Sequence, residues 1–403
     1  MIRKLKEFDF ILVFAPLLLA AFGMVMIYSS SMVTSIVEGQ ASTYYLMKQL
    51  QWFILGLAGM IFTSFFPYRN YQKMMKMLML VVIVLLAGVL IFGETRNNAR
   101  SWYSFGPVSL QPAEFAKLGL ILYLSYIYSK KQAYIDQFAK AVVPPLVFMV
   151  FILLFIVAQP DLGTAAIILL IACTVIFSSG IRIRHLAFLG TVIGILLAVA
   201  IPFMVTDVRI ARFTGAFKPF DAPDTGGYHL IQSYLAISGG GLTGTGLGQS
   251  IQKLGYLMEA HTDFIMAVIV EELGVFGLII VFGLLALIIL RGLHFARRSN
   301  DSFGSLLAIG ITSMVAIQAF INLGAISGLL PITGVPLPFV SYGGSSLLVL
   351  LLSMGILNNI ARSVRREEGK PMKLEIGEQH SAEKVLHNRG GKSWLKQEKS
   401  KRY

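Results

Sequence analysis

Between Arg209 and Glu272 the chain gathers side chains whose types and spacing suit acid–base and anion chemistry. Arg209 and Arg212 come first. A run from Phe217 to His229 follows, with two prolines, two aspartates and two glycines, a composition that opposes continuous helix. Glycines 239, 240, 241, 244, 246 and 248 come next, and then Lys253, Glu259, His261, Asp263 and the pair Glu271 and Glu272. Asp263 stands where polar sequence gives way to a long apolar run. Partial burial there raises a carboxyl pKa towards the range of a general base. The same triplet, His261 to Asp263, also reads as a helix N-cap, with Thr262 or Asp263 satisfying free N–H groups. The glycines would let consecutive N–H groups converge on an anion. As a nucleotide motif they are weak, because no strand precedes them and no Gly-Lys-Ser/Thr ending follows.

Smaller polar clusters interrupt the apolar sequence elsewhere. Arg100, Trp102 and Tyr103 lead to Gln111, Pro112 and then Glu114 and Lys117, whose i, i+3 spacing places them on one helix face within pairing distance. Such a pair either closes a helix contact or lines a polar cavity. Asp161, in Gln159-Pro160-Asp161-Leu162-Gly163-Thr164, either caps the next helix or faces a cavity. Ser29, Ser30 and Ser31 read as helix-end hydroxyls, with no histidine near in sequence to activate one. Between 327 and 346, Pro331, Pro336 and Pro338 precede Ser341, Gly343 and Gly344, a broken stretch expected to line a cavity wall.

The elements that position these residues follow from composition. With 403 residues, 56% of them hydrophobic and 14% charged, and a mean hydropathy of +0.72, the chain is too apolar for a soluble globule. The expected fold is an all-α polytopic membrane protein. Ten candidate spans lie near 10–29, 49–66, 75–93, 112–129, 142–158, 162–180, 186–205, 263–290, 303–327 and 342–361. The polar stretch of about 206–262 is then a large extracytoplasmic loop between the seventh and eighth. Placing both termini in the cytoplasm leaves only eight of the 34 Lys and Arg in outer loops and spans, the asymmetry that positive-inside insertion predicts. The apolar run after Arg3, Lys4 and Lys6 is read as an uncleaved first helix. Residues 1–366 form the transmembrane domain, and 367–403 a basic cytoplasmic tail, disordered by composition and drawn to anionic lipid. The stretch from Arg362 to Tyr403 accounts for nearly half the net charge of +13, and no nucleic-acid module accompanies it, so nucleic acid is not an expected partner. The single cysteine, Cys173, excludes an intrachain disulfide.

These motifs, in this order on ten spans, resemble the SEDS family (shape, elongation, division and sporulation proteins) across residues 8–366. Within the family the chain is more similar to the division-type FtsW branch and its sporulation relative SpoVE than to the elongation-type RodA branch. The likeness rests on Arg100 with Trp102, Gln111 to Lys117, Gln159 to Thr164, the glycine segment with Lys253, Glu259 to Ile265 with Glu271 and Glu272, and Pro336 to Ser346. Met258 departs from the family's usual proline. The resemblance implies a peptidoglycan glycosyltransferase that polymerises lipid II into β-1,4 glycan at the outer face of the bacterial cytoplasmic membrane, at the division septum. It places the catalytic aspartate at Asp263. Arg100, Lys117, Arg209, Arg212 and Lys253 are candidates for the leaving pyrophosphate. Trp102, Glu114, Asp161, Glu259, His261 and Ser341 complete the expected substrate-binding set. No cofactor is firmly implied, although Mg2+ or Mn2+ could accompany the pyrophosphate. The implied partners are a class B penicillin-binding protein, which is a transpeptidase, and other membrane proteins of the division machinery. A lipid II flippase and a non-catalytic division scaffold are the alternatives. The scaffold reading leaves the polar outer loop unexplained.

Overall fold

Long apolar stretches fold as helices because only intrachain pairing satisfies backbone groups inside a bilayer. The computed structural model describes residues 7–368, apart from 97–98, 107, 136, 183, 186, 188–189, 192–193 and 195–206. Helix α1 spans Phe10–Val37 and begins where the Asp9 carboxylate accepts the Leu12 N–H at 3.2 Å. Helices α2 (Tyr44–Phe65), α3 (Asn70–Phe92) and α4 (Pro112–Lys130) follow. Then come α5 (Val143–Val157), α6 (Leu162–Ser178), α7 (Asp207–Phe217) and α8 (Tyr228–Gly240). Helices α9 (Ile265–Arg298), α10 (Ser302–Ile326) and α11 (Gly344–Glu368) complete the described chain.

Among the described residues six helices, α1, α2, α3, α9, α10 and α11, are long and apolar enough to cross a membrane, and α5 and α6 are shorter apolar helices. The protein is a mostly helical, polytopic membrane protein. The span expected at 186–205 falls largely outside the described residues.

One element departs from the all-α expectation. Strands β1 (Glu94–Arg96), β2 (Ala99–Phe105) and β3 (Val108–Leu110) form an antiparallel meander between α3 and α4. From sequence this segment is expected to be a loop between two spans. Its physical basis is the aromatic and β-tolerant run Trp102 to Phe105, reversed at Gly106, whose φ of 63° favours glycine.

Packing concentrates on α11, which is buried over most of its length and lies along α2. Small residues allow the approach: a Cβ added at Gly56 or Gly59 would stand 2.6 or 2.7 Å from Leu351 or Leu352. At one end of the bundle the two ends of the described chain are tied together. Glu7 pairs with Arg362 at 2.9 Å and Arg366 at 2.6 Å, while buried Asp9 pairs with Arg365 and with Arg291 of α9.

Candidate active site

The polar stretch is organised by a break in α9. Gly274 adopts φ 61° and ψ −148°, so the helix stops after Glu272 and Leu273 and then resumes. Carbonyls freed by the break are taken up by the glycine loop. Thr245 N–H donates to Glu271 O at 2.9 Å, Gly246 N–H to Glu272 O at 3.0 Å, and Val275 N–H to Leu242 O at 3.1 Å. Leu242 O and Gly244 N press so closely on Gly274 that any side chain there would overlap them. Gly240 and Gly244 likewise face the carbonyls of Val270 and Glu272. The glycines therefore let loop backbone lie against helix backbone. This corrects the anion-nest expectation, because the N–H groups of residues 245, 246 and 248 are bonded to α9 itself.

Below the loop lies a closed network of charges. Glu272, 0% exposed, accepts from Lys253 Nζ at 2.7 Å, from Ser29 Oγ at 2.7 Å and from Gly248 N–H at 3.0 Å, and Lys253 Nζ also donates to Ser29 Oγ at 2.9 Å. Glu271 accepts from Ile251 N–H at 2.9 Å and from the Ser250 hydroxyl. Pairing of this completeness is what makes buried charge tolerable. Lys253, a sequence candidate for the pyrophosphate, is 3% exposed here and donates to Glu272 and Ser29. Ser29, read as a helix-end hydroxyl, is instead a bridge between Lys253 and Glu272.

Asp263 lies in the turn before α9 and is half-buried. Phe264 holds the N-cap position without a side-chain bond of its own, and the Thr262 hydroxyl turns to Glu259. The Asp263 carbonyl accepts from Asn322 Nδ2 of α10 at 2.8 Å, and the same amide donates to Val335 O at 2.8 Å. The carboxylate faces the broken segment after α10. Its Oδ2 stands 3.6 Å from a Cβ built on Gly334, where φ is 73°. A Cβ at 334 would lie in van der Waals contact with that carboxylate, and the positive φ favours glycine there.

The N-terminus of α6 packs on the same segment, since a Cβ on Gly163 would approach Thr333 O at 2.6 Å. There Asp161 caps α6, accepting from Thr164 N–H at 3.0 Å, Thr164 Oγ1 at 2.9 Å and Gln111 Nε2 at 3.0 Å. Gln111 in turn donates its N–H to Ser345 Oγ at 3.0 Å. One turn into α4, Lys117 Nζ meets Glu114 Oε1 at 2.7 Å, with both residues at most 4% exposed. Within the broken segment, Thr333 thus meets the N-terminus of α6 at Gly163, and Gly334 meets the Asp263 carboxylate. Two buried atoms here, Thr333 Oγ1 and Asn322 Oδ1, have no hydrogen-bond partner among the described residues. Sequence reading missed Thr333 and Asn322, since neither stands in a charged motif.

The remaining candidates divide by what they touch. His261 is 7% exposed, with its ring 4.4 Å from Tyr45 and 5.6 Å from Tyr342, and its carbonyl accepts the Tyr342 N–H at 2.9 Å. Burial pushes its imidazole pKa below the ordinary value, against the opposing pull of Glu259 and Glu38. Glu259 is exposed, at φ 56°. Ser341 Oγ accepts the Leu337 N–H at 2.8 Å and closes its own turn. Arg100 donates to Gly93 O at 2.8 Å and Leu90 O at 3.2 Å, capping α3. Trp102 is half-buried on β2. Arg209 and Arg212 lie on α7, with side chains outside the described residues. No group of three His, Cys, Asp or Glu among the described residues could hold a metal ion.

A half-buried carboxylate beside a glycine-walled segment with unpartnered polar atoms can take a proton from a bound hydroxyl, on a bundle of membrane helices. The family model described as "Cell cycle protein", covering FtsW, RodA and SpoVE, matches residues 10–366, and the chain belongs to that family. A Bacillus subtilis relative named "Probable peptidoglycan glycosyltransferase FtsW" is 48% identical over 394 residues, covering 95% of this chain and 98% of its own. Stage V sporulation protein E of the same organism is 40% identical, covering 91% of this chain and 100% of its own. Among solved structures, a chain from work on polymerization and crosslinking by a peptidoglycan synthase complex superposes with a TM-score of 0.73. It is 27% identical and covers 89% of this chain and 98% of that one. The rod-shape-determining protein RodA of Thermus thermophilus gives a TM-score of 0.62 at 27% identity, covering 88% of this chain and 97% of that one.

Proposed function

We propose that the protein is a peptidoglycan glycosyltransferase that polymerises lipid II into β-1,4 glycan at the outer face of the cytoplasmic membrane, in septal wall synthesis. The observation that carries this reading is Asp263, half-buried at the head of α9 with its carboxylate against Gly334. The named activity of the 48% identical relative supports it. Transfer from an α-linked undecaprenyl pyrophosphate to a β-linked product inverts the anomeric carbon. One carboxylate must then take the proton of the attacking GlcNAc 4-hydroxyl as the glycosidic C–O bond forms, while positive groups stabilise the departing pyrophosphate. Asp263 is assigned the base. Arg209 and Arg212 are assigned to the pyrophosphate side, and Lys117, as buried as Lys253 and paired with Glu114, to the scaffold. Lys253 is reassigned to holding Glu272. A divalent cation, where used, would be carried by pyrophosphate oxygens and one or two carboxylates such as Asp263 or Asp161.

The orientation that fits has ten spans, both termini in the cytoplasm and residues 206–262 outside. The meeting of Glu7 with Arg362 and Arg366 supports an even number of crossings. A class B penicillin-binding protein is the expected partner, since one structural neighbour comes from a complex that couples polymerization to crosslinking. A second reading, lipid II translocation, has its own support in the broken α9 and the buried Glu114–Lys117 pair. Purified protein in liposomes with lipid II, with and without the transpeptidase, separates the two. Glycan chains in either condition support the transferase. Lipid II crossing the bilayer with no polymer in either condition would replace it with the transporter.

A further inference from the structure

At the end of the bundle where the chain ends meet, α3 begins and α4 finishes, and a cleft of about 240 Å3 lies between them. Its lining is Gln72, Lys73, Met75 and Lys76 of α3 with Tyr126 and Lys130 of α4. Three of these six residues are lysines and none is acidic. The neighbouring cation sets the contrast, because Arg69, one residue before α3, lies 3.7 Å from Asp301 and 3.5 Å from Glu367. Lys73, Lys76 and Lys130 pair with no carboxylate among the described residues. Lys130 Nζ donates to Tyr126 Oη at 2.8 Å and lies 4.5 Å from the centre of that ring, so it is held over the cleft with N–H groups to spare.

We propose that this cleft binds the headgroup phosphate of an anionic phospholipid. Charge alone would suit any phosphate, and the surface next to the cleft selects the lipid. Met77, Leu80 and Val84 follow on α3 at helical spacing, all exposed and apolar, and form a stripe leading from the lysines into the membrane zone. A phosphate set among the three ammonium groups leaves its acyl chains along that stripe. Basic pockets between transmembrane helices are a recurrent way to hold acidic headgroups, and each lysine near such a surface contributes about fivefold in affinity. The leaflet follows from the orientation proposed above, and nothing in the reaction enters.

The test is lipid retention by the delipidated full-length protein in a mild detergent, read by native mass spectrometry, a format that depends on neither membrane orientation nor glycosyl transfer. Phosphatidylglycerol, phosphatidylcholine and inorganic phosphate are the three probes. The wild type should hold phosphatidylglycerol in preference to phosphatidylcholine, and inorganic phosphate should compete poorly. Changing Lys73, Lys76 and Lys130 to Gln should weaken that binding roughly a hundredfold. Changing Lys392, Lys396 and Lys399 of the tail to Gln removes the same charge and should leave it intact. The double variant Lys73→Gln/Lys76→Gln, which keeps the Lys130–Tyr126 contact, should show an intermediate loss and guards against misfolding of the triple. Equal retention by wild type and triple variant, equal loss in the cleft and tail variants, or full competition by inorganic phosphate would each overturn the proposal.

Discussion

Glu272 and Lys253 show what burial asks of a charge. With the carboxylate at 0% exposure, Lys253→Met leaves it uncompensated and should lower stability by about 3–5 kcal/mol, read as a fall in Tm in detergent. The double variant Lys253→Met/Glu272→Leu should recover much of that loss. An unchanged Tm in the single variant would mean that the pair contributes nothing. His261 makes a pH prediction with a definite sign. Its folded pKa lies below the ordinary histidine value of 6.5, so the unfolded chain binds the proton more readily. Its contribution is present above that value and is lost as pH falls below it. Tm measured from pH 8 down to 5 should decline, and His261→Gln should flatten the decline. An identical slope in the variant would remove His261 as its source. Spacing made Glu114 with Lys117 legible, because three residues along a helix is a contact distance. Lys253 with Glu272 was hidden, because a folded-back loop rather than a helical turn joins them.

The element that shapes the site is the interrupted α9. Gly274→Ala places a side chain at φ 61° and against the Leu242 carbonyl. The conformation alone costs about 1–3 kcal/mol, and the overlap must also push the glycine loop away. Limited proteolysis should therefore cut the 241–258 loop faster in this variant than in the wild type. An equal rate would show that the clasp does not depend on the break. Hydropathy runs unbroken through Gly274, so the sequence marks one span where the structure has two helical pieces. The conformation of that glycine is dictated by Leu242, thirty-two residues earlier. Two strands of the β1–β3 meander were hidden because β1 and β3, at three residues each, carry too little alternation to register. By contrast, helices α1 to α4 and α9 to α11 follow from apolar run length and from terminal signals such as Asp9 and Pro112.

For the whole molecule, the knot of Glu7 and Asp9 with Arg291, Arg362, Arg365 and Arg366 fixes which ends of the helices share a side. With the native thiol removed as Cys173→Ser, Gln40→Cys lies between α1 and α2, and Asn300→Cys between α9 and α10. A membrane-impermeant thiol reagent applied outside spheroplasts should label the first and spare the second. The reverse pattern would invert the orientation. Family membership was readable from motif order, whereas the partition of polar residues into scaffold and site was not. Arg100, Lys253 and Ser341 stand in family motifs and yet are bonded within the protein, which the folded chain reveals and the motifs do not. Asp263 remains the carboxylate on which the account turns. The most direct test is glycan formation from lipid II by Asp263→Asn beside the wild type, each shown by Tm to be folded. The account predicts a glycan ladder from the wild type and none from the variant. A ladder of equal yield from folded Asp263→Asn would contradict it.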